Sequence, residues 1–210
     1  NNQTKDMLTD IYFRPYIPSS QRASDLGLSA QASNKIFRYL EKNQLVDVIK
    51  LNMTGKRGGL SKFYKITKKG CDFINRPYPK QSGGTGPTHH FIQGYFKKYL
   101  PEKSFSSLET EKNIGGKRID VFGIYENLKI GIEICISTIK TEVINIKKDW
   151  GKCDVLIIVT PDKKTRDKLQ SELYKKVKPN EKLKICIAHE LLNDPDKIIG
   201  SHGQLPLFSG

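Results

Sequence analysis

Two short stretches in the second half of the chain alternate apolar and polar residues, which predicts two β-strands at residues 117–123 and 130–136. A short turn separates them, so we predict an antiparallel hairpin. If the chain reverses at residues 126–127, Asp120 of the first strand lies directly opposite Glu133 of the second. Directly opposed side chains have Cβ atoms about 4.5–5.5 Å apart, so the two carboxylates are expected to be neighbours.

The same alternation predicts which face each side chain occupies. Ile119 and Val121 point towards a core together with the isoleucines of the second strand, so Asp120, Glu133 and Cys135 share the opposite, wet face. Two carboxylates held close together repel each other, and a divalent cation relieves that repulsion. We therefore interpret the pair as half of a metal site; the alternative is that both acids are ordinary polar residues of a wet sheet face.

The elements around this hairpin give the second half of the chain the order α-β-β-β-α-β-α-β. The run at 155–159 is apolar on both faces, which is typical of a buried parallel strand. The predicted elements are a helix at 89–100, strands at 105–114, 118–125 and 129–136, a helix at 138–150, a strand at 155–159, a helix at 162–177 and a strand at 183–188.

The first half has a different pattern, with helices followed by a hairpin. Helices are predicted at 6–12 and 20–28, and Ser29 can cap a third helix with apolar positions at Ile36, Tyr39, Leu40 and Leu45. Strands at 46–51 and 61–66 then flank a glycine-rich loop. Proline and glycine mark a linker, so we expect a first domain at 1–75, a linker at 76–88, a second domain at 89–193 and a tail at 194–210.

Charge favours a polyanionic partner. The chain has 210 residues and a net charge of +14, and residues 50–69 hold seven basic residues and no acid. Nucleic acid is the leading candidate, and a generic solvated basic face is the alternative. There is no apolar run of 18 residues and no signal-peptide pattern, so we expect a cytoplasmic protein without a membrane partner.

The cysteines and the first residue add two expectations. Cys71, Cys135, Cys153 and Cys186 are far apart and form no CxxC pair, so we expect reduced core thiols rather than zinc ligands or a disulfide framework. The chain begins at Asn1 without methionine, so we expect a segment of a longer protein.

The first half resembles the MarR-like winged helix-turn-helix proteins. The similarity lies in residues 23–46 and in the closing stretch 64–70. It implies that the third helix enters the major groove of DNA and that the hairpin reaches phosphates or a minor groove. The implied nucleic-acid contacts are Gln31, Ser33, Asn34, Lys35 and Arg38 on the helix, with Lys56, Arg57 and Lys62 on the hairpin. Winged helices also serve as protein-interaction modules, and that alternative stays open.

The second half, over residues 89–190, resembles the PD-(D/E)xK nuclease superfamily, which includes restriction-endonuclease-like and Holliday-junction-resolvase-like members. Residues 119–121 and 132–135 carry the similarity. It implies an α/β fold with a mixed sheet, and a Mg²⁺ or Mn²⁺ ion held by Asp120, Glu133 and the backbone oxygen of Ile134. In this family a lysine follows the glutamate by two positions, and here Cys135 stands in its place.

Other residues are candidates to complete such a site. The family tolerates a lysine that comes from the next helix, and here we favour Lys148, then Lys147, then Lys140. Glu111 or Glu109 would add a carboxylate, and His90 with Gln93 would approach the scissile phosphate. Spacing does not choose between the two glutamates, and surface lysines and a polar helix start are the alternatives.

Together these features predict a DNA-binding, Mg²⁺-dependent endodeoxyribonuclease region of a larger DNA-processing protein, such as one of a mobile element or phage-defence system. The partner would be DNA, and an ATPase domain would lie on a preceding segment. Because of Cys135, the alternative is an inactive nuclease-like module that binds DNA or protein beside a winged-helix DNA reader. A transcription regulator with a ligand-sensing second domain is a third hypothesis, and the sequence leaves open whether the protein is a homo-oligomer.

Overall fold

The structure, a computed structural model, describes residues 2–52, 59–79, 86–136, 143, 144, 146, 151–178 and 181–200. The chain divides into two compact units, Asn1–Phe91 and Ile92–Gly210. Among the described helices, none combines the length and the apolar character that crossing a bilayer requires.

The first unit contains helices and a two-stranded antiparallel sheet. Ser29 caps the third helix, as predicted, because its hydroxyl oxygen accepts the Ala32 N–H at 3.2 Å. The turn before it contains Gly27 at φ +63°, a conformation that glycine adopts at little cost. The elements are α1 (Asn2–Phe13), α2 (Ser19–Asp25), α3 (Ala30–Lys42), β1 (Val46–Asn52), β2 (Leu60–Ile66) and α4 (Lys68–Phe73).

The core of the first unit forms where α1, α3 and β2 pack together. Ile36 and Leu40 of α3 are buried in it, as predicted, and Phe37 stacks on Tyr64 of β2 with ring centroids 4.5 Å apart. Tyr39 differs from the prediction, since it is 46 % exposed. It lies beside the buried stripe of α3 rather than within it, so its ring remains on the helix surface.

Arg22 of α2 is fully buried and ties the end of α1 to α2. Its guanidinium pairs with Asp10 and donates to the carbonyl oxygens of Arg14 at 2.5 Å and Ile17 at 3.2 Å. Burial lowers the pKa of Arg22 to about 10, and the nearby Asp25 partly offsets this. The charge is therefore retained at neutral pH and serves to hold the two helices together.

The second unit contains a five-stranded mixed sheet in the order β3-β4-β5-β6-β7. Strands β3, β4 and β5 are antiparallel neighbours, whereas β5, β6 and β7 are parallel. The elements are α5 (Pro87–Tyr99), a 3-10 helix (Leu100–Lys103), β3 (Phe105–Ile114), β4 (Lys117–Tyr125), β5 (Leu128–Ile134), β6 (Val155–Thr160), α6 (Lys163–Tyr174), β7 (Leu183–Ile187), α7 (Ala188–Asn193) and α8 (Pro195–Ile199). The predicted mixed α/β architecture is confirmed.

The expected helix at 138–150 lies mainly outside the described residues. Within this range the structure describes Val143, Ile144 and Ile146, and all three are helical. The two short helices α7 and α8 follow the last strand and were not predicted. Helix α5 spans the division between the units.

The β4–β5 hairpin has the predicted register. Val121 lies opposite Ile132, and the chain reverses at Glu126 and Asn127, whose φ values are +47° and +70°. Two successive residues with positive φ are the mark of a type I′ turn, which matches the twist of the flanking strands. Turn and pattern agree, so the acids of these strands lie on the face opposite the isoleucines.

Apolar burial explains why this register is stable. Ile119, Val121, Ile130 and Ile132 have no exposed surface, which confirms them as core residues. A slip of β5 by one residue against β4 would carry Ile130 and Ile132 to the other face, and each buried aliphatic side chain contributes about 1.5–3 kcal/mol. Strand β6 is buried along its whole length and parallel to β5, as its apolar run predicted.

Candidate functional site

Three acidic residues lie in one row across β3, β4 and β5. The rungs on either side of Glu111 put it directly opposite Asp120. The pairing of Val121 with Ile132 makes Glu133 the residue of β5 on the next rung, beside Asp120. Since facing residues of adjacent antiparallel strands have Cβ atoms about 4.5–5.5 Å apart, the register concentrates negative charge at one point of the sheet.

Asp120 is held by the backbone of the neighbouring strand. Its Oδ2 atom accepts the N–H of Ile134 at 2.8 Å, at the rung where regular pairing of β4 with β5 has ended. A side-chain oxygen thus replaces a ladder carbonyl, and the carboxylate is fixed next to the end of β5 that carries Glu133. The structure therefore places the predicted Asp120, Glu133 and Ile134 together.

Glu111 is bent out of the regular strand. Its φ is +57°, a conformation that costs a residue other than glycine about 1–3 kcal/mol and persists only where the surroundings enforce it. The side chain is 12 % exposed, and its Oε1 atom accepts the amide N–H of Gln93 at 2.5 Å. Gln93, on α5, also donates to the carbonyl oxygen of Asp120 at 3.2 Å, so one buried amide orients two members of the row.

Of the two glutamates that the sequence could not separate, the structure brings Glu111 to the site. Glu109 instead forms an ion pair with Lys112, and its side chain is 52 % exposed. The positive φ at Glu111 decides this outcome, because it interrupts the alternation by which the two residues would share a face.

Helix α5 adds a histidine that the sequence analysis did not select. His89 lies four residues before Gln93 on the same continuous helix, and one ligand atom from each of His89, Glu111 and Asp120 lies within 4.8 Å of the others. From the sequence we expect His90, with Gln93, at this position. The spacing of four residues that stacks side chains on one helix face was the signal that could have found His89.

The donor set fits a divalent cation. Carboxylate oxygens are the ligands preferred by Mg²⁺ and Mn²⁺, and an imidazole nitrogen is a common ligand of transition metals. Gln93 and the Ile134 amide are neutral, so they orient the acids without cancelling their charge. A cation bound between the carboxylates would relieve their mutual repulsion.

The prediction that Cys135 lies on the wet face was wrong, whereas the expectation that it is a reduced core thiol is confirmed. It was expected on the wet face with Asp120 and Glu133, but it is 1 % exposed and lies in an apolar cluster with Ile146 and Ile158. The helical segment around residue 146 covers this face beyond Glu133. The position where the resembled family has its lysine is therefore an apolar core position, and Lys140, Lys147 and Lys148 lie outside the described residues.

The candidate nucleic-acid contacts on α3 are mostly on its surface. Gln31, Asn34, Lys35 and Arg38 are exposed. Ser33 is a correction, because it is 4 % exposed and its hydroxyl donates to the carbonyl oxygen of Ala30 at 3.1 Å. It belongs to the inner side of the helix and does not present its side chain for base contact.

The hairpin candidates are only partly described. Lys56 and Arg57 lie outside the described residues. Lys62 pairs with Glu41 at 2.5 Å, and its ammonium lies 5.2 Å from the ring centroid of Tyr64. Glu41 has a lowered pKa even though burial acts in the opposite direction, because Lys62 and Tyr64 both donate hydrogen bonds to it. The charge of Lys62 is thus already engaged within the unit.

No protein-family model and no curated protein matches the chain. A solved structure, described as the crystal structure of a repair endonuclease from Pyrococcus abyssi, is 16 % identical, with 61 % of this chain and 59 % of that chain covered and a TM-score of 0.27. The match spans less than two thirds of that protein's length. At this TM-score the likeness carries no argument about function.

Replacing Cys135 by lysine, which would restore the family motif, is expected to destabilise the second unit rather than to activate it. A lysine at this position would place an unpaired ammonium among apolar side chains, at a cost of about 3 kcal/mol or more. The free energy of unfolding in urea measures the effect, with Cys135→Ala as the control for loss of the thiol. A Cys135→Lys variant as stable as that control would show that this position is open to solvent.

Proposed function

We propose that the second unit is a divalent-metal-dependent nuclease that hydrolyses phosphodiester bonds in DNA. The observation that carries the proposal is the fixed position of Asp120, whose carboxylate accepts the Ile134 N–H between Glu111 and Glu133. An acid row assembled at the cost of a strained residue is typical of a functional site rather than of a structural one. Metal-assisted phosphodiester hydrolysis is the chemistry that such a carboxylate cluster serves best.

The residues of the row would have distinct tasks. Asp120, Glu133 and Glu111 would hold Mg²⁺ or Mn²⁺, with His89 and the backbone oxygen of Ile134 as further ligands. When bound, the ion polarises a phosphate oxygen and lowers the pKa of a bound water. Gln93 holds the Glu111 carboxylate in place, because its buried amide donates both to that carboxylate and to the carbonyl oxygen of Asp120 on the neighbouring strand.

The cationic group of the resembled nucleases would come from the segment after β5. Cys135 cannot supply it, since the thiol lies in the apolar cluster. Lys148, Lys147 and Lys140 remain the candidates, in that order. His90 remains a candidate for contact with the scissile phosphate.

The first unit would bind the DNA as a winged helix-turn-helix. Support comes from the order of its elements and from the exposed polar side of α3, which carries Gln31, Asn34, Lys35 and Arg38. Asn34 and Arg38 also line an open groove of about 750 Å³ bordered by α2, α3 and β2. A DNA-binding unit joined to a nuclease unit also fits a larger DNA-processing protein, one that carries an ATPase domain and belongs to a mobile element or phage-defence system.

One observation favours a second candidate function. The apolar burial of Cys135 removes the family lysine from its usual position, which is also expected of a nuclease-like module that has lost catalysis. Such a module would bind DNA or a partner protein without cutting. A DNA cleavage assay separates the two functions.

Wild-type protein is expected to cleave at least one of supercoiled plasmid, single-stranded and branched DNA when Mg²⁺ or Mn²⁺ is present. Asp120→Asn and Glu133→Gln keep the size of each side chain but remove its charge, so the rate should fall about 100-fold or more. The matched control is Glu109→Gln, which removes a carboxylate on β3 outside the row. Full activity of Glu133→Gln would contradict the site, and a wild type that cuts none of these substrates would favour the binding module.

Replacing Lys35 and Arg38 together by alanine is expected to weaken binding of duplex DNA. Each lost phosphate contact lowers the slope of log affinity against log salt by about 0.9, so the slope should fall by up to about 1.8. Fluorescence anisotropy over a salt series measures this. The control is Lys164→Ala with Lys175→Ala, which removes the same charge from an exposed position in α6 and from the exposed residue that follows this helix. Equal slopes for the two variants would argue against DNA contact by α3.

A further inference from the structure

Arg118 lies beside the acid row and was not among the candidates from the sequence. It precedes Asp120 by two residues on β4, so both side chains project from the same face of the strand. Its Nη1 atom lies 3.3 Å from Oε2 of Glu111. Glu111 therefore receives the amide of Gln93 on one oxygen and the guanidinium of Arg118 on the other.

The exposure of this ion pair is uneven. The side chain of Glu111 is 12 % exposed, whereas that of Arg118 is 62 % exposed. A guanidinium has five N–H donors in a planar array, and here one terminal nitrogen is directed at Glu111. Most of the remaining donor surface thus faces solvent at the margin of the row, where an incoming ligand can reach it.

A phosphodiester fits this arrangement. Guanidinium groups bind two oxygens of one phosphate side by side, and such charge-assisted hydrogen bonds are the strongest in proteins. The row itself repels a polyanion, so a substrate that must approach three carboxylates benefits from a fixed positive charge at their edge. A guanidinium offers N–H donors and no acceptor, so the role of Arg118 is to bind and orient the phosphate.

We infer that Arg118 is a substrate-binding residue of the acid-row site. Its guanidinium binds two oxygens of one phosphate group of the nucleic acid, next to Asp120. This inference rests on the proposed nuclease function, because it assigns the polyanion to that same site. It commits the site to a phosphodiester substrate, since a guanidinium fork recognises paired phosphate oxygens.

The chain offers a matched control in Lys117. This residue is adjacent to Arg118 on β4, carries the same charge and projects from the opposite face of the strand. Arg118→Gln and Lys117→Gln therefore change the total charge equally and differ in the face that they alter. Glu111→Gln supplies a second comparison, because it removes the partner of Arg118 and one negative charge of the row.

Binding measured without divalent metal tests the inference independently of cleavage. Anisotropy of a fluorescein-labelled duplex in EDTA at low salt, in a Lys35→Ala and Arg38→Ala background, keeps the contacts of α3 from masking the second unit. Arg118→Gln should weaken binding about tenfold or more, because it removes a charge-assisted bond. Glu111→Gln should strengthen binding, because it lowers the repulsion between the row and the DNA. Lys117→Gln should change the logarithm of Kd by less than half as much as Arg118→Gln does.

A loss of affinity in Arg118→Gln that clearly exceeds the loss in the charge-matched Lys117→Gln is the signature of substrate contact. If Arg118 served only to position Glu111, Arg118→Gln would leave affinity in EDTA at the Lys117→Gln level, and that result would overturn the inference. Thermal unfolding of each variant checks that the exposed substitutions leave the fold intact. If Arg118→Gln fails this check, Arg118→Lys replaces it. This variant keeps the charge but not the planar guanidinium, and it should bind more weakly than wild type.

Cleavage in Mg²⁺ or Mn²⁺ then separates the two proposals. In an active wild type, Arg118→Gln should raise KM about tenfold or more. A wild type that cuts nothing while Arg118→Gln still weakens binding in EDTA would reject the nuclease function and retain the phosphate contact. Active cleavage with an unchanged KM in Arg118→Gln would retain the nuclease and reject the contact.

Discussion

The hydrogen bond from the Ile134 amide to the carboxylate of Asp120 is the interaction on which the arrangement of the site depends. It lies where β5 stops pairing with its antiparallel neighbour β4 but continues beside its parallel neighbour β6, opposite Ile158 and Val159. At this point a backbone N–H would otherwise lack its ladder acceptor. The carboxylate satisfies it, so completing the sheet also fixes the direction in which Asp120 points.

The surrounding groups orient the acids and border them with one positive charge. Gln93 contributes a neutral buried amide to Glu111 and to the backbone of Asp120. Arg118 supplies positive charge from the exposed side, at 3.3 Å from Glu111. The acids are therefore oriented by neutral donors from within and bordered by a cation at the surface, which suits a site that must admit both a metal ion and a polyanion.

Much of the hairpin could be predicted from sequence because two independent constraints agree. The alternation of isoleucines selects one register, and the positive φ values at Glu126 and Asn127 form the turn that this register requires. The buried parallel strand β6 was predictable for a similar reason, since a run that is apolar on both faces needs cover on both faces. These elements depend on local pattern.

The remaining features depend on packing that local pattern does not contain. Alternation places Cys135 on the same strand face as Glu133. A helical segment that follows later in the chain and contains Val143 and Ile146 covers Cys135. Glu111 rather than Glu109 joins the row because one residue adopts a left-handed conformation within a strand. The ion pair of Arg118 arises from cross-strand proximity, which becomes visible only when the register of β3 against β4 is known.

The central claim is that the row of Glu111, Asp120 and Glu133 holds a divalent cation. Anomalous diffraction from crystals of the whole chain soaked in Mn²⁺ tests this directly. A peak in contact with the Asp120 carboxylate, absent from equally soaked crystals of Asp120→Asn, is the expected result. An ordered acid row without a peak, or a peak that persists in Asp120→Asn, would contradict the claim.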